Sequence, residues 1–272
     1  MTVQVLRESW LRWLRKESGL RKFLRRQQGS RYWWHQQKGH DYVPAIYRVL
    51  SRDEQDILMR WYIDTDSRFP GGAGESCVPV LSLLQGLIMG NGIATIVQCG
   101  HYHGYSTLLL GMFLRSMGRE GALLSIDINA DVTEYTRGWV QEADLERVVR
   151  LECCSSTSPE IHGVVESYFG RGEVDCVYID SSHAYQHTIE ELEFWFSKVR
   201  AGGFVVVHDA SEFARGFCSD GRGGVHQALS DWKLGERGSM LWINKTVNAQ
   251  FASEAIPAYS DPCGLAIIQK YA

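Results

Sequence analysis

Two short groups of residues in this chain could carry chemistry together. Asp180-Ser-Ser-His183 follows the apolar run Val174 to Ile179, and His208-Asp209 closes the apolar run that begins at Gly203. Further polar residues follow other apolar runs: His101 and His103 after 95–99, Asp127 after Leu123-Leu-Ser-Ile, and Ser155 and Ser156 after 148–153. If the runs are parallel strands, their carboxyl ends form one rim, where open α/β sheets place their ligands. Neighbouring strands lie about 4.8 Å apart, so Asp180, His208 and Asp209 could share a ligand. Three oxygen and nitrogen donors with water positions left over would suit a divalent cation such as Mg²⁺ or Mn²⁺. The plainer alternative is that Asp180 and Asp209 cap the helices that follow them.

Parallel strands need crossover helices, and the sequence supplies them. Strands are predicted at 95–99, 122–127, 148–153, 174–180 and 203–208, with helices at about 106–117, 131–143, 157–169 and 185–199. This alternation predicts a mostly parallel sheet covered on both faces. A helix up to Trp232, a strand near 240–243 and a closing strand at 264–268 bring the sheet to seven strands. The first strand runs into a turn with glycines at 100 and 104 and then an apolar helix, a local pattern that turns backbone N–H groups towards a ligand. Asp127 follows Gly104 by 23 residues, about where such folds hold a ribose hydroxyl.

With 272 residues, 44% of them hydrophobic, the chain can bury one sizeable core. Residues 1–60 contain 13 Lys/Arg against 6 Asp/Glu, whereas the remainder contains 15 against 26. The acidic body argues against nucleic acid as a partner. Residues 5–26 space Leu6, Trp10, Trp13, Leu14, Leu20 and Leu24 as an amphipathic helix with arginines between them. It could pack on the body or a second subunit, making a homo-oligomer, or lie on an anionic membrane surface. Residues 29–43 read as an aromatic loop and Val43 to Asp64 as a helix, and Phe69-Pro-Gly-Gly-Ala-Gly-Glu-Ser76 is the strongest linker signal. A boundary there leaves a basic helical extension at 1–75, a lid or an oligomerisation arm, and a ligand-binding domain at 76–272. Seven cysteines without CxxC spacing, mostly in apolar runs, suggest buried reduced thiols and a cytoplasmic setting.

The segments Val97-Gln-Cys-Gly-His-Tyr-His-Gly-Tyr-Ser106, Ser125-Ile-Asp127, Val174 to Tyr185 and Ala201 to Asp209 resemble a class I S-adenosylmethionine-dependent methyltransferase. More narrowly, the sequence is similar to the branch containing macrolide-sugar and rhamnosyl O-methyltransferases and cephalosporin-hydroxylase-like proteins. The likeness covers residues 78–210 well, the tail loosely and the first 70 residues not at all. It implies a Rossmann-like fold in which Gly100, Tyr102, Gly104, Ser106, Asp127, Ser155 and Asp180 contact the cofactor. It further implies a metal on Asp180, His208 and Asp209 and a general base at His183. Methyl transfer from a sulfonium needs an oxygen nucleophile held close and relieved of its proton, and a histidine can take that proton near neutral pH.

This sequence departs from the family pattern at three positions. Gln98 and Cys154 stand where acids are usual, and His208 replaces an acidic ligand, which would move metal preference from Mg²⁺ towards Mn²⁺, Zn²⁺ or Fe²⁺. His101 and His103 read as solvent-facing loop residues, with substrate contact as the alternative. The reading is therefore a metal-assisted O-methyltransferase for a small-molecule hydroxyl, on a sugar or another natural-product intermediate. The alternatives are a methyltransferase-fold protein that has lost or changed its reaction, and an adaptor acting through its basic N-terminal helix.

Overall fold

The computed structural model describes residues 45–69, 76, 78–247 and 262–272. Its centre is strand β1 (Ile96–Cys99), buried at all four positions. Strands β2 (Leu123–Asp127) and β4 (Val174–Ile179) flank it in parallel. Outside these lie β3 (Val149–Cys153) and β5 (Val199–His208), also parallel, and β7 (Leu265–Lys270) runs antiparallel between β5 and β6 (Gly238–Ile243). The order is β3-β2-β1-β4-β5-β7-β6. The chain switches direction across the sheet between β1 and β4, which opens a crevice above their carboxyl ends.

Helices cover both faces. Ile96, Leu123, Cys176, Tyr178, Phe204 and Val206 pack on one side, whereas Val97, Cys99, Leu124, Ile126, Val177, Ile179, Val205 and Val207 pack on the other. Successive strand residues point to opposite faces, so strands buried on both sides read as near-continuous apolar runs, interrupted here by hydrogen-bonded polar residues such as Gln98 and Ser125. This burial produced the runs in the sequence. The first face is covered by α3 (Val78–Asn91), α4 (Tyr105–Ser116) and α5 (Ala130–Glu142), and the second by α6 (Glu160–Phe169), α7 (Tyr185–Lys198) and α8 (Gly224–Asp231). From the first strand onward the predicted strands and helices therefore all occur, with ends differing by a few residues. The largest difference is β5, which starts at Val199 because Val174 pairs with Val199 before a register shift brings Cys176 opposite Phe204.

The predicted helix from Val43 to Asp64 is two helices, α1 (Ala45–Arg48) and α2 (Arg52–Arg68). The break is a capping box: Ser51 Oγ accepts from Glu54 N, and Glu54 Oε2 accepts from Ser51 N at 2.6 Å. Glu54 also binds Arg115 of α4 at 2.7 Å. The linker-like composition at 69–76 does not separate two cores, because Ile46, Tyr47, Leu58, Trp61 and Tyr62 join the cluster that contains Ile88, Leu108 and Leu109. The predicted amphipathic helix 5–26 and aromatic loop 29–43 lie outside the described residues. No helix among the described residues is long and apolar enough to cross a membrane.

Candidate active site

The ends of β4 and β5 bring together all four residues expected there. His208 Nδ1 lies 3.2 Å from Asp180 Oδ1 and 3.6 Å from Asp209 Oδ2, and His183 Nε2 lies 2.7 Å from Asp209 Oδ2. Asp180 Oδ2 accepts from Ser76 Oγ at 2.6 Å and from Tyr178 Oη at 3.0 Å. His183 and Asp209 both have positive φ, 56° and 55°, uncommon for residues with a Cβ and frequent where a site dictates the backbone. The Asp180 side chain is only 15% exposed. Burial alone would raise its pKa, but the charge and hydrogen bond of His208, with Ser76, hold it well below the usual carboxylate range. Burial would lower the His183 pKa, yet the hydrogen bond and charge of Asp209 outweigh it and the pKa is raised. Asp180 and Asp209 thus pair with histidines and do not cap helices: neither α7 nor the 3-10 turn at Phe213–Phe217 has a side-chain cap.

The β1 turn meets this cluster directly. Gly100 has φ 86°, and a Cβ on it would sit 2.0 Å from the Asp180 carbonyl oxygen, so only glycine fits where the two strand ends touch. At Gly104, φ 90°, a Cβ would instead meet Thr136 of α5 at 2.7 Å, so this glycine serves helix packing. Tyr102 also has positive φ, 42°, and its side chain is exposed. Ser106 is buried and accepts from Gln98 Nε2 at 2.6 Å. Gln98 donates as well to the Gly100 carbonyl at 3.0 Å and accepts from Thr107 Oγ1 at 3.0 Å. The departure from an acid at 98 is therefore an amide that braces the turn through both N–H donors and its oxygen.

Asp127 braces the same turn from β2. Its Oδ2 accepts from the backbone N–H groups of His101 and Tyr102, and its Oδ1 from Asn129 N. Directly after it, Ile128 is 75% exposed, an apolar platform at the strand ends that polarity-based reading passes over. Ser155 is half-buried and 3.3 Å from Thr157 Oγ1. Its neighbour Ser156 donates to Glu191 of α7, a buried acid that also accepts from Ser181 Oγ at 2.7 Å. Glu191 thereby ties the loops after β3 and β4 together.

The two histidines of the β1 turn are not solvent-facing. His101 lies between Thr133 Oγ1 at 3.0 Å and Ser125 Oγ at 3.2 Å, and burial lowers its pKa to about 4 despite the raising influence of Asp127. His103 stacks on Phe69 at 3.7 Å, and its carbonyl accepts from Trp61 Nε1 at 2.8 Å. Both are held by elements distant in sequence, which a local pattern does not reveal. Among the described residues the cysteines are likewise mixed: Cys99 and Cys176 are buried, Cys154, Cys218 and Cys263 half-buried, and Cys153 exposed.

Residues 97–210 match the family model described as a methyltransferase domain. No curated protein matches the sequence. Among solved structures, the chain is similar to an O-methyltransferase from Bacillus cereus in complex with SAH, at 17% identity and TM-score 0.58, covering 81% of this chain and 91% of that one. It is also similar to the O-methyltransferase TomG from Streptomyces achromogenes, involved in tomaymycin synthesis and solved with SAM (18% identity, TM-score 0.60, 80% and 90% covered). A third is the SAH-bound methyltransferase PaMTH1 from Podospora anserina (17%, 0.57, 80% and 88%). The matched segment 97–210 lies at the centre of a seven-stranded sheet that has the fold of class I S-adenosylmethionine-dependent methyltransferases.

Proposed function

We propose that the chain is an S-adenosylmethionine-dependent O-methyltransferase acting on a hydroxyl of a small molecule, a sugar or natural-product intermediate, with His183 as proton acceptor and a divalent cation at the β4 and β5 ends. The observation that carries this reading is the contact of Gly100 with Asp180. It sets the turn that would bind the cofactor against a cluster able to handle a proton.

The residues suit the cofactor. Gly100 leaves room where a Cβ would collide, and Ile128 offers an exposed apolar face for a purine. Asp127 spends three lone pairs on backbone N–H groups, leaving about one of a carboxylate's four acceptor positions for a ribose hydroxyl. Gly100, Tyr102, Gly104, Ser106, Ser155 and Asp180 belong to the same proposed cofactor wall, Ser106 and Gly104 by shaping it from behind. The donor set also suits a cation, because Asp180, His208 and Asp209 present two carboxylates and an imidazole within 3.6 Å along the chain of contacts.

When bound, the sulfonium supplies an activated methyl group for in-line displacement, and the cation lowers the pKa of a hydroxyl. The protein's share is proton handling and orientation. Asp209 accepts from His183 Nε2–H, which leaves Nδ1 as the basic nitrogen and stabilises the imidazolium formed when Nδ1 takes the hydroxyl proton. Phe217, 45% exposed, stands edge-on to His183 with ring centres 5.9 Å apart and gives the acceptor an apolar wall.

Calorimetry with S-adenosylmethionine and S-adenosylhomocysteine, each with and without Mg²⁺ or Mn²⁺, tests the proposal. Binding in the micromolar range is expected, and nothing tighter than about 1 mM would sink it.

A further inference from the structure

Cys263 belongs to the strand-end cluster although it is 54 positions beyond Asp209. The chain returns there because the backbone zips up ahead of β7: the Cys263 carbonyl accepts from Ser211 N at 2.8 Å, the Gly264 carbonyl from Ala210 N at 3.3 Å, and the Pro262 carbonyl from Ser211 Oγ. As a result His208, Asp209 and Cys263 each place one ligand-capable atom within 4.8 Å of the others. Asp209 is also part of a second such group with Asp180 and His183. The His208 and Asp209 side chains are 8% and 7% exposed, unlike a solvated acidic patch.

Donor chemistry selects the ion. Mg²⁺ favours six oxygens in a near-ideal octahedron, whereas thiolate, imidazole and carboxylate together favour a tetrahedral ion of the zinc kind. With bonds of about 2.0–2.3 Å, such an ion needs its donors roughly 3.5 Å apart, reachable from 4.8 Å by side-chain rotation. We infer that Cys263 supplies a sulfur ligand beside His208 and Asp209, so that the site takes a thiophilic divalent cation, Zn²⁺ above all, in preference to Mg²⁺. This rests on the reading of the cluster as the metal site of a methyltransferase and names its ion class. Asp209 has two oxygens, so one can hold His183 while the other meets the cation. Binding releases the Cys263 proton to solvent.

The full-length chain should be titrated with Zn²⁺, Mn²⁺ and Mg²⁺ by equilibrium dialysis, and with Co²⁺ as a spectroscopic probe. Cys263→Ser is expected to weaken Zn²⁺ by more than about tenfold while leaving Mn²⁺ within about threefold. Co²⁺-loaded wild type should show a sulfur-to-cobalt charge-transfer band that the variant lacks. Zn²⁺ should also slow alkylation of Cys263 in the wild type, a readout that needs no variant. A band retained by Cys263→Ser, unchanged Zn²⁺ affinity, or unprotected Cys263 would each overturn the inference. Calorimetry of S-adenosylhomocysteine on the same samples separates the two failures. Cofactor binding without Cys263 protection sinks the ion assignment alone, and absent cofactor binding sinks the methyltransferase reading.

Discussion

His183 Nε2 and Asp209 Oδ2 stand 2.7 Å apart across the ends of two adjacent strands, both residues in left-handed backbone conformations. On the proposed reading this pair orients His183 and leaves Nδ1 to take the acceptor's proton. His183→Ala should therefore lower kcat by at least about 100-fold while changing S-adenosylhomocysteine affinity little. A variant with near-normal kcat would remove His183 from the chemistry.

Gly100 is the joint between β1 and β4. In Gly100→Ala the new methyl must displace the Asp180 carbonyl from 2.0 Å, at a φ of 86° that alanine disfavours. A loss of about 3 kcal/mol is expected, read as a drop in Tm. An unchanged Tm would mean that the two strand ends are not in contact.

Gln98 looks like a lapsed acid until its bonds are traced. Restoring the family residue by Gln98→Glu replaces an amide that donates to the Gly100 carbonyl and Ser106 with a carboxylate that repels the carbonyl. Denaturant unfolding should show about 1–3 kcal/mol of destabilisation. A more stable variant would contradict this account of the turn.

His101 is held neutral by burial, its pKa falling from 6.5 to about 4. The unfolded chain takes up this proton near pH 6.5, but the folded one does so only near pH 4, so the residue's contribution becomes progressively unfavourable as pH falls between those values. In NMR titration its ring signals should stay constant from pH 8 to about 5. A midpoint near 6.5 would show that the ring is open to solvent.

The parallel strands were readable because a sheet covered on both faces admits apolar residues everywhere, as in Val174 to Ile179. The rim was readable because polar residues stand at each strand end. What could not be read depended on contacts distant in sequence. His101 and His103 look exposed by type and position, and contacts from Thr133, Ser125, Phe69, Tyr135 and Trp61 hold them inside. Cys263 joins His208 only because β7 runs antiparallel to β5. Ile128 carries no motif, being noticeable solely for its exposure.

Helices α1 and α2 sit where their sequence position gives no hint of it: Trp61 reaches the His103 carbonyl, Tyr47 bonds to Tyr105, and Arg115 to Glu54. A chain begun after the glycine-rich stretch would lack these partners and leave Tyr105 and Leu108 uncovered. Cutting the polypeptide between residues 69 and 76 should then create complementary halves, soluble when co-expressed and aggregating when made alone. Co-purification of a tagged N-terminal half with the untagged remainder would reveal this self-recognition, and independent folding of the remainder would disprove it.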